Sequence, residues 1–229
     1  MSVRRSPVTR ERALAEAVAL ADAEGIDAMS MRRLAARLGV VPMALYKHVA
    51  NKEDLLAGMV DTLIAAFEVP DPAPGWKPAV RAQLLAARRV LQEHPWARQV
   101  IESRITRTPQ VLAYMDHVAG LFIDDGVSAD LTHHAMHALG HRIWGFSPEA
   151  FDDPDSLQPP SDPAELDAMV RMVQQTYPHI ALIAIDAVDG DLSAVGGRCD
   201  EQFEFEFTLD LLLDAFERLH EAGWTSRSR

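Results

Sequence analysis

Between Arg10 and Glu24 the chain repeats apolar residues at Leu14, Val18 and Ala21. That is the spacing of one helical face, and Gly25 supplies a stop. "SMRRLAARLG" predicts a second, short helix. Ser30 is its N-cap, Leu34 and Leu38 share a face, and Gly39 ends it. "VPMALYKHV" predicts a third short helix over Pro42–Val49. Asn51 then caps a fourth, with Asp54 three residues on in a box-like start, and this helix runs to about Phe67. Three prolines and a glycine in "VPDPAPGW" (69–76) break the pattern and set the expected domain boundary, 1–67 against 68–229. Beyond it, the pattern predicts long helices near 76–93, 108–125, 128–146, 163–176 and 201–222, and a short one near 97–103. Ser147–Pro163 is a proline-rich loop, and "VDGDLSAVGGRCD" a second irregular connection. The fold class expected is all-α.

"FEFEFTL" (203–209) alternates as a strand would, yet "DLLLDAFERLHEAG" follows with helical spacing and no turn residue between them. Read as one helix, it carries two apolar stripes. Phe203, Phe207 and Leu211 form one; Phe205, Leu209, Leu212, Phe216 and Leu219 form the other. A surface helix buries one stripe. Two stripes imply either a dimer interface, with Phe203, Phe207, Leu211, Leu212 and Phe216 as its candidates, or the central helix of a monomer.

Composition changes this picture little; charge changes it more. The 229 residues are 48% apolar, ample for a core. No apolar run is long enough to span a membrane, and "MSVRRSPVTRER" lacks the apolar stretch of a secretory signal. With Cys199 as the single cysteine, no internal disulfide can form, which fits a cytoplasmic protein. The net charge of −12 argues against nucleic acid until it is divided. Residues 1–52 hold nine Lys/Arg against five Asp/Glu; the remainder holds thirteen against twenty-nine. That split suits a basic working end on an acidic body, or a basic tail on an ordinary acidic protein.

Two short helices joined by a glycine-containing turn have the dimensions of a helix-turn-helix, whose second helix enters the DNA major groove. Pro42, Met43 and Ala44 would then face base edges and offer apolar contact to thymine methyls. Tyr46, Lys47 and His48 carry groups that suit phosphate or base contact. Lys52 starts the fourth helix, where backbone N–H groups and the ammonium together suit a phosphate. Arg32 and Arg33 can add to this, and an N-terminal arm with Arg4, Arg5 and Arg10 would trail along the duplex.

Residues 10–64, through "ALADAEGIDAMSMRRLAARLGV" and "ALYKHVANKEDLL", resemble the DNA-binding domain of the TetR family of transcriptional regulators. Trp76 to about Gly223 resembles the ligand-binding domain of the tetracycline-repressor branch, mainly through "FEFEFTLDLLLDAFERL". The resemblance implies an N-terminal helix-turn-helix domain joined to a helical effector-binding and dimerisation domain. It implies a homodimeric repressor that binds palindromic double-stranded operator DNA and is released by a small-molecule effector. Carried over by position, DNA contacts fall on Arg32, Ala44, Tyr46, His48 and Lys52, and variable operator-reading positions on Met43 and Lys47. The tetracycline repressor has polar base-reading residues near Val41 and Pro42. This chain does not, so its operator should differ.

The same resemblance locates a pocket. Counted from Trp76, the magnesium-binding histidine of the tetracycline site falls on Ile101, which cannot ligate. Amide and aromatic positions fall on Gln83 and Ala87, and another amide on His117. Magnesium–tetracycline recognition is therefore not expected, and neither is a cofactor. Separately, His133, His134, His137 and His141 share one arc of the 128–146 helix, with Trp144 beside them. Leu131, Met136, Leu139, Ile143 and Phe146 take the opposite side. The arc lines an effector cavity or dimer seam (His137 and His141 as pocket candidates), or is a solvated face, or holds a metal through imidazoles one turn apart. A metal-dependent helical enzyme using His133, His137 and His141 is the competing reading. It lacks a paired nucleophile and base and leaves the charge split unexplained. Activation rather than repression stays open.

Overall fold

The computed structural model describes residues 7–69, 74–103, 107–144, 160, 162–186 and 200–228. Arg4, Arg5, Phe146, Cys199, most of the 147–163 loop and the Trp144 side chain lie outside the described residues. The helices are α1 (Arg10–Glu24), α2 (Met31–Leu38), α3 (Pro42–Leu45), α4 (Lys52–Ala65), α5 (Trp76–Glu93), α6 (Trp96–Glu102), α7 (Pro109–Ile123), α8 (Ala129–Trp144), α9 (Pro163–Thr176), α10 (Pro178–Asp186) and α11 (Glu201–Glu221). Single-turn 3-10 segments follow α1 and close the chain. Among the described residues there is no strand.

Two compact units result: residues 1–145 with 209–229, and residues 146–208. In the first, α1 buries Ala13, Ala17, Leu20 and Ala21. Its small residues, rather than Leu14 and Val18, make the closest seat, and the two larger side chains flank it half-buried. Gly58 on α4 lies under α1 so closely that a Cβ there would fall 2.6 Å from Leu14 Cδ2. The core around Leu34, Leu45, Leu55, Met59 and Leu63 continues into Ala87 of α5 and Trp96, Ala97 and Val100 of α6. Beyond it, Trp76 stacks at a tilt on Phe122, with centroids 5.1 Å apart. The Trp76 N–H donates to Asp125 (2.7 Å). α5 is strapped to α11 by Lys77 on Asp214 (2.7 Å) and by Arg81 on Asp210 (2.6 Å). Such half-exposed pairs fix register more than they stabilise.

In the second unit α9 packs on α10, with Val170 and Ala181 buried. The sequence reading left α10 out. "PHIALIAID" is too short and too evenly apolar for a 3.6-residue period to show. The "FEFEFTL" stretch is helical throughout, as its continuation required. No helix among the described residues is long and apolar enough to cross a membrane.

Candidate nucleic-acid interface

The Ser30 hydroxyl accepts the Arg33 N–H (3.2 Å) and starts α2. Gly39 ends it in the left-handed region (φ 69°), with its own N–H and that of Val40 returning to Ala36 and Ala35 (3.1 and 2.9 Å). This is the Schellman pattern, and it sets the sharp turn into α3. Val41 precedes α3 in extended backbone and Pro42 takes N1, where no N–H is missed.

The regular part of α3 is shorter than the Pro42–Val49 span expected. It stops at Leu45, and the Leu45 carbonyl accepts both the His48 and Val49 N–H groups (2.8 and 2.9 Å). The next helix begins too soon for more. Asn51 Oδ1 accepts the Asp54 N–H (2.8 Å), and Asp54 Oδ2 accepts the Ala50 N–H (2.8 Å). A four-residue helix cannot hold itself. Burial of Leu45 and Val49, 0% and 1% exposed, anchors this one. The opposite side is presented outward: Val41 is 68%, Met43 71% and Tyr46 45% exposed. Lys47 is exposed, while Ala44 and His48 are half-buried.

The basic residues sort into two groups. Arg33 is paired with Glu24, and Arg37 with Glu16 (2.6 Å) and Glu24 (3.8 Å), so these two arginines tie α2 to α1. Arg32, Lys47 and Lys52 are exposed and have no ion-pair partner among the described residues. Arg10, expected to trail along the duplex with the arm, instead turns inward. Its guanidinium forks onto Asp54 at 2.7 and 3.0 Å and also donates to the His48 carbonyl (3.0 Å). The shared hydrogen bond raises the Arg10 pKa and lowers that of Asp54, although partial burial opposes both.

Of the pocket candidates, the structure brings two together. Gln83, 1% exposed, has its Oε1 3.3 Å from His117 Nε2, and its amide donates to the Glu68 carbonyl (3.4 Å). Ala87 lies buried one turn further along α5. Ile101 is half-buried against the apolar core. Tyr114, absent from the sequence reading, belongs with this group. It stands one turn before His117, and its ring meets Phe67 edge-on at 5.1 Å. Burial pushes its hydroxyl above the usual phenol range, and the nearby Gln83 side chain offsets part of that. The i−3 spacing to His117 was the signal that could have found it. An open depression lined by Glu68, Val69, Pro78, Arg81, Ala82, Leu85 and Arg89 contains none of the expected ligand residues.

Among the described residues no hydrogen bond or ring contact joins His137 or His141 to Gln83 or His117. α8 buries Leu131, Ala135 and Leu139, so its four histidines point outward and are exposed. His133 stacks edge-on with His134 and His137 (5.2 and 4.7 Å), and His134 with Trp224 (5.5 Å). No three of His, Cys, Asp or Glu among the described residues converge as a metal site. On α11, Phe205, Leu209, Leu213 and Phe216 are buried, whereas Phe203, Phe207 and Leu211 are 53–61% exposed. Phe216 thus faces its own chain and Leu212 is half-buried, which narrows the free stripe to the first three of the expected interface residues.

A glycine-turned helix pair with an outward α3, set on a larger all-helical body, defines a helix-turn-helix transcriptional regulator. The comparisons agree. Residues 13–59 match the family described as "Bacterial regulatory proteins, tetR family", and residues 69–219 match "Tetracyclin repressor-like, C-terminal domain". The chain belongs to the TetR family of DNA-binding transcriptional regulators and is not an enzyme. It is 28% identical to the HTH-type transcriptional repressor DrrR1 of Streptomyces coeruleorubidus, over 93% of this chain and 78% of that one. Its fold is similar to that of apo ActR from Streptomyces coelicolor, with TM-score 0.70 and 24% identity over 96% and 99% of the two chains. ActR in complex with actinorhodin is also similar (TM-score 0.67, 25% identity, 93% and 98% covered).

Proposed function

We propose that the chain is a homodimeric repressor that binds a palindromic operator in the cytoplasm and is released by a small-molecule effector. The observation that carries this reading is the sorting of charge around α3. Arg33, Arg37 and Arg10 are consumed by internal carboxylates, while Arg32, Lys47 and Lys52 stay exposed around the outward Met43 and Tyr46. Cations left unpaired on a groove-sized element favour phosphate. Ala44 and His48 complete the contact set, closer to the protein surface. Met43 has no donor, so thymine contact and DNA shape carry more of the specificity than hydrogen bonds do.

The dimer forms through the stripe Phe203, Phe207 and Leu211 on α11. Two α3 helices must then sit roughly 34 Å apart to meet successive major grooves. Residues 1–67 are the reading domain and 68–229 the effector domain. The effector binds around Gln83, Ala87, Tyr114 and His117, and Ile101 supplies an apolar wall in place of a magnesium ligand. Relatives support a ligand of this kind, since ActR has been solved with actinorhodin. Gln83 and Tyr114 also touch Glu68 and Phe67, just past α4, so an effector that competes for them perturbs the helix that carries α3.

The test is titration of an operator-length duplex, selected from genomic DNA by the protein, with detection by gel shift and sedimentation. Two protomers per duplex are expected, with binding weakened across sequences in Tyr46→Ala and Lys52→Ala. Binding of one protomer, or no effect of either change, contradicts this assignment.

A further inference from the structure

Beside the apolar packing of Leu45 and Val49, α3 and α4 are linked by one shared carboxylate. Asp54 Oδ1 takes Arg10 Nη2 at 2.7 Å, and Asp54 Oδ2 takes both Arg10 Nη1 (3.0 Å) and the Ala50 N–H (2.8 Å). The same Nη1 reaches the His48 carbonyl (3.0 Å), at the carboxyl end of the segment that presents Tyr46 and Lys47. One guanidinium therefore joins three pieces of backbone: the start of α1, the end of the reading segment and the first turn of α4. Gly58 makes the approach possible, because a Cβ there would come within 3.2 Å of Arg10 Nη2 and closer still to Leu14.

The geometry points to Arg10 and Asp54 as positioning residues for DNA reading, fixing the direction in which α3 leaves α4. The inference rests on α3 being the DNA-reading helix. A four-residue helix has no rigidity of its own, so its aim depends on what grips its ends. Leu45 and Val49 grip it by burial, which tolerates rotation. The Arg10 fork, planar and bidentate, does not. Through Asp54 this clamp stands on α4, so any shift of α4 is passed to His48 and the residues before it.

The experiment uses the full chain and its selected operator duplex, with affinity measured by fluorescence anisotropy at several salt concentrations and melting temperature measured in parallel. Asp54→Asn keeps the size and one acceptor oxygen, and it removes a negative charge close to the proposed DNA surface. Simple electrostatics predicts tighter binding. Loss of positioning predicts weaker binding, by about tenfold, with an unchanged salt slope. Arg10→Ala should lose a similar factor, the double variant no more than either single one, and Arg10→Lys an intermediate amount. A pair that only stabilises the fold would lower the melting temperature and leave affinity intact below it, which would overturn the proposal. Equal or tighter binding by Asp54→Asn would do the same. So would a slope lowered by about one in Arg10→Ala, which would make Arg10 a phosphate contact. If Arg10→Ala does not fold, Asp54→Asn and Arg10→Lys still decide. A wild-type chain that selects no duplex fails earlier, and that result removes the DNA-reading assignment itself.

Discussion

Lys52 shows what a single residue contributes. It stands at the first position of α4, exposed, with the helix N-terminus behind it. The Asp54 N–H of that turn is already taken by Asn51, so the ammonium carries more of any phosphate contact than the helix end does. Arg32→Ala and Lys52→Ala should each lower the salt slope of operator binding by about one and weaken it alike on all duplexes. Anisotropy titrations between low and moderate salt read this directly. In the interior, Tyr114→Phe keeps the contact with Phe67 and leaves the Gln83 amide its bond to the Glu68 carbonyl and its contact with His117. The urea midpoint should therefore fall little, by the equivalent of less than about 1 kcal/mol. These partners also mark where the sequence was readable. Ser30, Gly39 and Asn51 announce their caps through local chemistry, within three residues. Arg10 with Asp54, and Tyr114 with Gln83, lie 44 and 31 positions apart. Only the packing of α1 on α4 and of α5 on α7 brings them together, so no local pattern could show them.

At the scale of elements, α11 was legible because its two stripes survive folding with different fates. One is buried by the chain and the other left exposed, with Phe203 and Phe207 stacked 6.0 Å apart along it. Phe207→Glu should convert the dimer to a monomer in sedimentation velocity without lowering helix content, because in the single chain this side chain touches solvent. The α3 boundary was less legible. The apolar pattern continues to Val49, but the cap of α4 claims the residues first. The closing 3-10 segment was not legible at all. It docks on α8 through Asp130, which accepts the Ser226 hydroxyl and N–H (both 2.7 Å) and the Thr225 hydroxyl (2.9 Å). Those bonds hold the Asp130 carboxyl down to about 2, below its ordinary 3.8. A depressed carboxylate stabilises the folded form above its ordinary pKa, and that contribution fades as pH falls through the depressed value. The Ser226 amide resonance should therefore titrate near the lower figure. In Asp130→Asn the transition should vanish.

At the scale of the whole molecule, the charge asymmetry and the architecture agree. The amino-terminal residues hold the basic excess, and the folded structure spends Arg10, Arg33 and Arg37 on internal carboxylates while leaving Arg32, Lys47 and Lys52 outside. A dimer presenting Arg32 and Lys52 to the backbone from each protomer, with Lys47 at an operator-reading position, makes about four phosphate contacts, for a slope near −4 in log affinity against log salt. The C-terminal domain was legible in its helices and less so in its chemistry. His137 and His141, pocket candidates by type, lie on the exposed face of α8, where His137 stacks with His133. The measurement that bears most directly on the central claim is selection of bound fragments from a genomic pool, run side by side with the wild-type chain and Lys47→Ala. The account predicts one enriched, near-palindromic site with half-site centres about one helical turn apart, and a loss or change of that site in the variant. Fragments enriched without any common sequence, or the same site recovered equally by both proteins, would contradict it.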